Sequence, residues 1–359
     1  MSLTKKKKIK AQKSKKAVVK LPDNPVAAND LKLKRARVKV IGLGDGASQI
    51  VLELAKELKG VEFYVANTDW QKSQHFPREV KIVNFGEKYT KGLGTGTDPE
   101  IGKLAALAEK EKIKQILNGG DLCFLIACLG GGTGSGAGPV FAKACQQQGI
   151  LSFGIFTLPF KFEGEKKMAV AREGLEKMKV DLNAALVLPN EKIFQALDKN
   201  LSLKESFLRV NQALGKSLEG LIGLVFRPGL INIYFADLTT ILSGRCKSAY
   251  LTSAEFERGA KNEEIRKKIF QNIFLSHNFR QSRQVLFNIV ADSQLSLNEV
   301  SDISQQVFQA VHPNSKIIFG VSFDKKMAGK IRIVLLAISS QEKNSRSKKT
   351  PLNKPKRKG

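Results

Sequence analysis

Six glycines occupy the nine positions from Gly130 to Gly138, directly after an apolar run. Glycine loses more chain entropy on folding than any other residue, so a dense run indicates a backbone that something approaches closely. A loop that leads from a strand into a helix directs backbone N–H groups and the helix dipole at an anion. The run therefore predicts an anion-binding loop, to which Thr133 and Ser135 add hydroxyl groups. A glycine-rich turn without a ligand is the alternative. We disfavour it because so many glycines would cost chain entropy without improving the packing.

Two further glycine loops occur earlier, VIGLGDGASQ (40–49) and KGLGTGTDPE (91–100). The first contains G-x-G-x-x-A, which alone would also suit a nicotinamide or flavin dinucleotide. Three such loops at one edge of a parallel sheet would form a cradle for several phosphates. A dinucleotide needs only the first loop, so the set of three favours a nucleoside triphosphate and leaves a dinucleotide oxidoreductase as a distant alternative.

The sequence contains no G-x-x-x-x-G-K-[ST] motif, which excludes an ordinary P-loop. The phosphate charge then has no P-loop lysine to balance it. We therefore expect a divalent cation, Mg²⁺, to accompany the nucleotide phosphates, and no protein side chain is assigned to the metal.

The elements that must hold these loops follow from hydrophobic spacing. Short apolar runs alternate with segments of helical spacing, a pattern typical of a mainly parallel, doubly wound α/β sheet. Asp98 and Pro99 form a helix start signal for a helix that reaches Leu117. The predicted strands of this half are 38–44, 61–68, 80–86, 121–129, 150–160 and 184–190.

The second half begins after a long helical segment at 204–224. Its spacing predicts helices near 262–273 and 297–311 and strands at 283–292, 316–323 and 330–339. The short connection that contains Gly329 suggests that the last two strands form a hairpin. We expect a smaller α+β domain in which helices pack on one face of a mixed sheet.

The net charge of +27 is concentrated at the two ends of the chain. Residues 1–37 carry 13 Lys and Arg against 2 Asp, and residues 342–359 carry 8 against 1 Glu, whereas 38–341 has 39 basic and 30 acidic groups. The ends lack core-forming residues and predict disordered basic arms at 1–36 and 342–359. The domains between them are predicted at 37–226 and 227–341.

Four cysteines without metal-type spacing suggest free, buried thiols in a reducing compartment. No apolar stretch suits a signal peptide or a membrane span. We therefore expect a soluble, cytoplasmic protein whose membrane contacts are limited to its arms.

Several long motifs identify a family. In one consistent order from 38 to 340, the chain resembles the tubulin/FtsZ superfamily, and most closely the FtsZ GTPases that assemble the bacterial division ring. The matching segments are NTDWQ (67–71), GLGTGTDPEIG (92–102), GGGTGSG (130–136), LPFKFEGEKKM (158–168), PGLINIYFAD (228–237) and KIIFGVSFD (316–324).

The resemblance implies a GTP- and GDP-binding site, head-to-tail polymerisation and hydrolysis between subunits at the division site. Glu163 matches an acid that binds the ribose, Asn190 a residue beside the nucleotide, and Phe207 a ring that stacks on guanine. Asn232 and Asp237 match the catalytic residues of a loop that enters the next subunit's pocket. The other predicted nucleotide-binding residues are Gly44, Asp45, Gly46, Ala47, Ser48, Gln49, Asn67, Gly94, Thr95, Gly96, Gly130, Gly131, Gly132, Thr133, Gly134, Ser135, Gly136, Lys167 and Gln212.

Four residues depart from the family pattern. Tyr234 replaces the first aspartate of the catalytic loop, and a phenol stays neutral at pH 7. Gln212 is matched to an aspartate that accepts hydrogen bonds from guanine, so guanine selectivity should weaken. Lys167 replaces an arginine. Asp45 replaces a glycine in the first phosphate loop and would repel phosphate unless it turns outward or faces the metal.

These departures leave three functions open. The first is a polymerising GTPase, slow but active through Asp237. The second is a filament protein that binds nucleotide with little or no hydrolysis. The third places the main role in the basic arms, which would bind nucleic acid or an anionic membrane. The family usually closes with a short peptide that docks onto membrane adaptors, and the end of this sequence does not resemble it. We therefore expect either a different adaptor at the division site or direct binding of the arms to an acidic partner, with solvated arms that bind nothing as the alternative.

Overall fold

The computed structural model describes residues 36–71, 76–192, 200–226, 229–270 and 279–340. Apart from Ala36, the two predicted basic arms lie outside these residues. The described residues form one ten-stranded sheet. Its strands are β1 (Val38–Leu43), β2 (Val61–Asn67), β3 (Val80–Asn84), β4 (Leu122–Cys128), β5 (Leu151–Leu158), β6 (Ala184–Pro189), β7 (Lys247–Glu257), β8 (Ser282–Ala291), β9 (Lys316–Phe323) and β10 (Lys330–Ser340).

The strands lie in the order β3-β2-β1-β4-β5-β6-β7-β10-β8-β9. All neighbours are parallel except the two pairs that β10 makes, with β7 and with β8. The expected mainly parallel α/β sheet with a mixed second half is confirmed. Two residue pairs, Ala184–Lys247 and Ala185–Ser248, join β6 to β7. The sheet therefore continues across the predicted domain boundary at 226, and the boundary itself stays a prediction.

Helices cover both faces of the sheet. Within the described ranges the helices are α1 (Gly44–Glu57), α2 (Glu87–Thr90), α3 (Pro99–Ala108), α4 (Lys110–Leu117), α5 (Gly138–Gln147), α6 (Glu165–Lys179), α7 (Leu203–Phe226), α8 (Phe235–Leu242), α9 (Asn262–Phe270) and α10 (Leu297–Ala310). Apolar side chains of α1, α7 and α8 pack on one face, and those of α3 to α6 pack on the other face of the first six strands. Helices α9 and α10 cover that second face beyond β7.

One helix predicted in the first half is broken into two in the structure. The helix that starts at the Asp98 cap ends at Ala108, and α4 follows after Glu109. The side chain of Glu109 accepts a hydrogen bond of 2.7 Å from the backbone N–H of Gly86 and pairs with Lys112 at 3.0 Å, which ties the break to the loop after β3.

The predicted hairpin of the last two strands is wrong. Strand β9 pairs in parallel with β8, and β10 lies between β7 and β8. Burial gives the reason: β10 is buried on both faces from Ile333 to Ile338, as an interior strand requires, whereas β9 is partly exposed as an edge strand. Strand β7 was not predicted, because its apolar residues are interrupted by Ser248, Thr252 and Ser253.

The four cysteines are free, as expected; Cys123 and Cys145 are buried, and Cys128 and Cys246 are half-buried. In the described part of the chain, no helix combines the length and the apolar character that a membrane span needs.

Candidate functional site

A cavity of ≈ 820 Å³ opens where parallel strands end. It is bordered by Leu43 at the end of β1, Asn67 at the end of β2, Cys128 at the end of β4 and Thr157 near the end of β5. The three glycine loops meet here, as the sequence predicts. The predicted residues that line the cavity are Gly44, Asp45, Gly46, Gln49, Asn67, Gly94, Thr95, Gly96, Gly131, Gly132, Thr133, Gly134, Glu163, Lys167, Asn190 and Phe207.

The three loops hold one another in place. The hydroxyl groups of Thr68 and Thr133 lie 2.7 Å apart and share a hydrogen bond. The backbone N–H of Gly94 donates to the carbonyl of Thr68 at 3.1 Å. A Cβ on Gly44 would lie 3.3 Å from the Cβ of Thr133, so a side chain there would press the first loop against the third. The cradle is therefore one interlocked unit.

The glycines of the 130–138 run serve two purposes. A Cβ on Gly131 would meet nothing within 4 Å, so this backbone faces open space at the cavity. A Cβ on Gly132 would collide with the Thr95 hydroxyl, and one on Gly136 would collide with the Pro99 carbonyl. The expectation that these glycines do not contribute to packing is wrong for Gly132 and Gly136, because α3 and the loop that precedes it approach them too closely for any side chain.

Five predicted residues do not line the cavity but support its loops. The Ser48 hydroxyl donates to the Gly44 carbonyl at 2.8 Å, and the backbone N–H of Gly130 donates to the Ser135 hydroxyl at 2.8 Å. These bonds fix the turns, and the Ser135 hydroxyl accepts its hydrogen bond inside the loop. All five are buried: Ala47, Ser48, Gly130, Ser135 and Gly136.

Glu163 and Lys167 form an ion pair on the cavity wall. The Glu163 carboxylate also accepts a hydrogen bond of 2.9 Å from the backbone N–H of Phe160. Burial by itself would raise the pKa of Glu163, but the hydrogen bonds from Lys167 and Phe160 outweigh it and hold this pKa below its ordinary value. The acid is therefore ionised at neutral pH and held in one place.

One end of the cavity is lined by aromatic rings and side-chain amides, which suits a nucleobase. The Phe207 ring packs edge-on against Phe160, with centroids 5.9 Å apart. Asn190 is only 8% exposed, and its Oδ1 has no hydrogen-bond partner in the described part of the protein. An unsatisfied buried oxygen costs about 1–3 kcal/mol, so this group indicates a missing donor from a ligand.

The assignment of Gln212 to the base is not supported by its position. Its side chain is exposed and does not line the cavity, whereas the half-buried Asn211 does. Of these two consecutive residues only Asn211 lines the cavity, so it is the amide that this part of α7 presents there. A role for Gln212 at the base stays a prediction that its exposed position does not support.

Asp45 does not turn away from the cavity. Its carboxylate lines the wall and accepts a hydrogen bond of 2.7 Å from the Asn67 side-chain amide. Asn67 is buried, and its own Oδ1 accepts from the backbone N–H of Thr68 at 2.8 Å. A chain of hydrogen bonds therefore holds the exposed acid Asp45 at the wall of the cavity, among the glycine loops.

Comparison with known proteins agrees with this geometry. The model of the Tubulin/FtsZ family, GTPase domain, matches residues 37–198, and that of the FtsZ family, C-terminal domain, matches residues 248–340. The chain belongs to the tubulin/FtsZ family. The resemblance deduced from the sequence motifs is confirmed.

Individual FtsZ proteins match over most of their length. The cell division protein FtsZ of Coxiella burnetii is 34% identical over 304 residues, which cover 84% of this chain and 78% of the relative. That of Aquifex aeolicus is 35% identical over 313 residues, 85% of this chain and 83% of the relative. A solved structure of an FtsZ dimer from M. jannaschii superposes with a TM-score of 0.76 at 30% identity, over 86% of this chain and 90% of that one.

The loop predicted to be catalytic in this FtsZ-family chain does not line the cavity. Asn232 is exposed and Asp237 half-buried, and neither lines the cavity. The loop is attached to edge strand β9, where Ile231 and Val321 exchange two backbone hydrogen bonds of 3.1 Å. Within one chain, the nucleotide cavity and the loop residues are not brought together.

Local hydrogen bonds shape this loop. The Asn232 side chain accepts from the backbone N–H of Gly229 at 2.7 Å, and the Asp237 carboxylate accepts from the backbone N–H of Tyr234 at 2.8 Å. Asp237 thus lies in the first turn of α8, where its negative charge interacts favourably with the helix dipole. The Tyr234 side chain is 63% exposed.

Sequence reasoning missed several cavity residues. Asp69 belongs to the NTDWQ motif but was not assigned a role, and Lys204 lies one helical turn before Phe207 on α7. A helical wheel drawn from Phe207 would have included Lys204 and Asn211, since i, i+3 and i+4 positions share a face.

Proposed function

We propose that this chain binds GTP with Mg²⁺, polymerises head to tail, and hydrolyses GTP between subunits as the cytoskeletal scaffold of the division ring. The observation that carries this proposal is the separation of the cavity from Asn232 and Asp237. If these residues act on a nucleotide, they act on one bound to another copy of the chain. Such a contact uses two different surfaces and does not close, so it generates a filament.

The cavity suits a guanine nucleotide. In this proposal the backbone N–H groups of the glycine loops bind the phosphates, Glu163 binds the ribose hydroxyls, and Phe207, Asn190 and Asn211 contact the base. All of these elements line the cavity. An amide can both donate to and accept from the edge of guanine. The cavity volume of ≈ 820 Å³ lies in the range usual for ligand sites.

The charges of the cavity wall are consistent with a requirement for a cation. The charged lining residues are two lysines, Lys167 and Lys204, and four acids, Asp45, Glu53, Asp69 and Glu163. This balance does not neutralise a triphosphate. A bound Mg²⁺ would supply the missing positive charge and stabilise negative charge on the phosphate oxygens.

Exposed apolar residues support contact between copies. Leu93, at the cavity, is 69% exposed, and Leu230, in the loop before α8, is also 69% exposed. In a head-to-tail contact the two would be covered together with Tyr234. Burial of large apolar side chains at such an interface contributes about 1.5–3 kcal/mol each.

A second function within the same family is a filament protein that binds nucleotide with little hydrolysis. Tyr234 favours it, because its exposed phenol stands where the family provides a carboxylate. Packing at the interface is a sufficient role for this tyrosine.

The deciding experiment is phosphate release from GTP, with Mg²⁺, over a range of protein concentrations. The proposal expects release above a critical concentration, together with sedimenting polymer, and loss of release in Asp237→Ala. Polymer without phosphate release would establish the second function. Protein that stays monomeric with GTP and Mg²⁺ in light scattering and sedimentation would overturn the polymerisation proposal.

We also propose a cytoplasmic location at the division site, with the basic arms in contact with an acidic partner. The arms carry net charges of +11 (1–37) and +7 (342–359). Each basic residue near an anionic membrane contributes about 1 kcal/mol. Deletion of 1–36 and 342–359 should abolish binding to anionic vesicles, with DNA tested in parallel, and unchanged binding would contradict a role for the arms.

A further inference from the structure

The first phosphate loop carries an acid that the proposed ligand must meet. Asp45 lines the cavity between Gly44 and Gly46, and the Asn67 side-chain amide holds its Oδ1 at 2.7 Å. Asn67 is 3% exposed and is fixed by the backbone N–H groups of Thr68 and Asp69. The carboxylate is therefore held against the cavity by a buried partner.

We propose that the Asp45 carboxylate is a protein ligand of the divalent cation that enters with the GTP phosphates. This inference rests on the proposed function, since it assigns a cation ligand in the same site. If Asp45 binds the cation, the affinity for GTP should rise more steeply with the cation concentration than it would if the phosphates alone bound the cation.

Charge is the first argument. Charges of the same sign repel more strongly in a partly desolvated cavity than they do in bulk water. A triphosphate beside Asp45 meets that repulsion unless a cation lies between them. Oxygen atoms of carboxylates and phosphates are also the ligands that Mg²⁺ prefers.

The surroundings of Asp45 are the second argument. Asp69 also lines the cavity, and a Cβ on Gly94 would lie 3.6 Å from the Cβ of Asp69, so a second acid borders the same glycine loops. The unsatisfied, buried Oδ1 of Asn190 shows independently that this cavity is shaped for a ligand. The Asp45 carboxylate can favour the binding of an anionic ligand only if a cation binds together with that ligand.

A purely structural role is the competing explanation. Asp45 lies in the first turn of α1, where an acid stabilises the helix dipole, and its bond to Asn67 links α1 to β2. Such a role predicts a change in stability and no change in the cation dependence of GTP binding. The two explanations therefore differ in a measurable way.

The test measures GTP affinity by equilibrium dialysis of the full chain, from EDTA to millimolar Mg²⁺, for wild type, Asp45→Asn and Asp45→Gly. Asp98→Asn is the matched control, because Asp98 caps α3 and does not line the cavity. We expect both Asp45 variants to bind GTP at least about tenfold more tightly than wild type in EDTA, because one repulsive charge is removed. We also expect their affinity to respond less to Mg²⁺, while Asp98→Asn follows wild type.

Direct cation binding gives a second readout. With GDP present, Mn²⁺ followed by electron paramagnetic resonance should bind Asp45→Asn about tenfold more weakly than wild type, since one anionic ligand is lost. Thermal unfolding without ligand checks that the variants are folded. Equal Mg²⁺ dependence and equal Mn²⁺ affinity in wild type and Asp45 variants would overturn the inference while leaving GTP binding intact. Failure of wild type to bind GTP at any Mg²⁺ concentration would instead overturn the proposed function, and this inference with it.

Discussion

The backbone N–H of Tyr234 donates a hydrogen bond of 2.8 Å to the carboxylate of Asp237. The acid proposed to act on the next subunit's nucleotide therefore also caps the first turn of α8. Loss of activity in a variant at this position could arise from either role, and the choice of substitution separates them.

Asp237→Asn keeps an oxygen acceptor for the Tyr234 N–H, whereas Asp237→Ala removes it. We expect the alanine variant to lower the free energy of unfolding by about 1–2 kcal/mol, as for a lost cap, and the asparagine variant by less than about 1 kcal/mol. Both should lose phosphate release. Denaturant unfolding and the phosphate assay measure the two effects. An asparagine variant that hydrolyses GTP normally would remove the acid from the proposed mechanism.

Tyr234→Asp should raise phosphate release, because it adds a carboxylate to the exposed loop that contains Asn232 and Asp237. The matched control is Tyr234→Phe, which keeps the ring without the hydroxyl. We expect the control to assemble and hydrolyse like wild type. If the phenylalanine variant instead lost phosphate release while still forming polymer, the tyrosine hydroxyl itself would take part in the reaction.

Asn211→Ala should weaken GTP binding by about two- to twelvefold, because one amide hydrogen bond contributes about 0.5–1.5 kcal/mol. Gln212→Ala, the adjacent change on the same helix, should leave GTP affinity unchanged, since its side chain is exposed and outside the cavity. Fluorescence titration with a labelled GTP measures both. The reverse result would restore Gln212 as the base-contacting residue.

Two alanine substitutions in the same glycine loop should affect different properties, GTP affinity in one case and stability in the other. Gly131→Ala places a methyl group in open space at the cavity, so the protein should fold normally and bind GTP less tightly. Gly136→Ala collides with the Pro99 carbonyl and should destabilise the fold by about 1–3 kcal/mol. Thermal unfolding with and without GTP distinguishes the two. Equal stability of both variants would contradict the close approach of α3.

Alkylation of Cys128 should be slow at neutral pH and faster as the pH rises. Burial raises the pKa of this thiol above its ordinary value near 9, and the Glu163 carboxylate adds to the effect, so little reactive thiolate is present at pH 7. Because Cys128 lines the cavity, bound GTP should protect it. Cys246 is also half-buried but outside the cavity, and its labelling should not respond to GTP. Mass spectrometry of labelled peptides follows both thiols, and equal labelling of Cys128 with and without GTP would count against binding at this site.

The sequence by itself determined the parallel half of the sheet, the long helix and the place of the phosphate cradle. These follow from local signals, because buried parallel strands read as continuous apolar runs and glycine loops interrupt them at the strand ends. The motifs also identified the family.

Tertiary structure decided what depends on contacts between distant segments. The place of β10 between β7 and β8 is set by burial on both faces, which a short connection from β9 cannot reveal. The approach of α3 explains Gly132 and Gly136, and the rotation of α7 selects Asn211 over Gln212. The bond from Asn67 to Asp45 joins residues 22 positions apart. Local propensity cannot encode these choices, because each is made by the packing of a partner element that lies far away in the sequence.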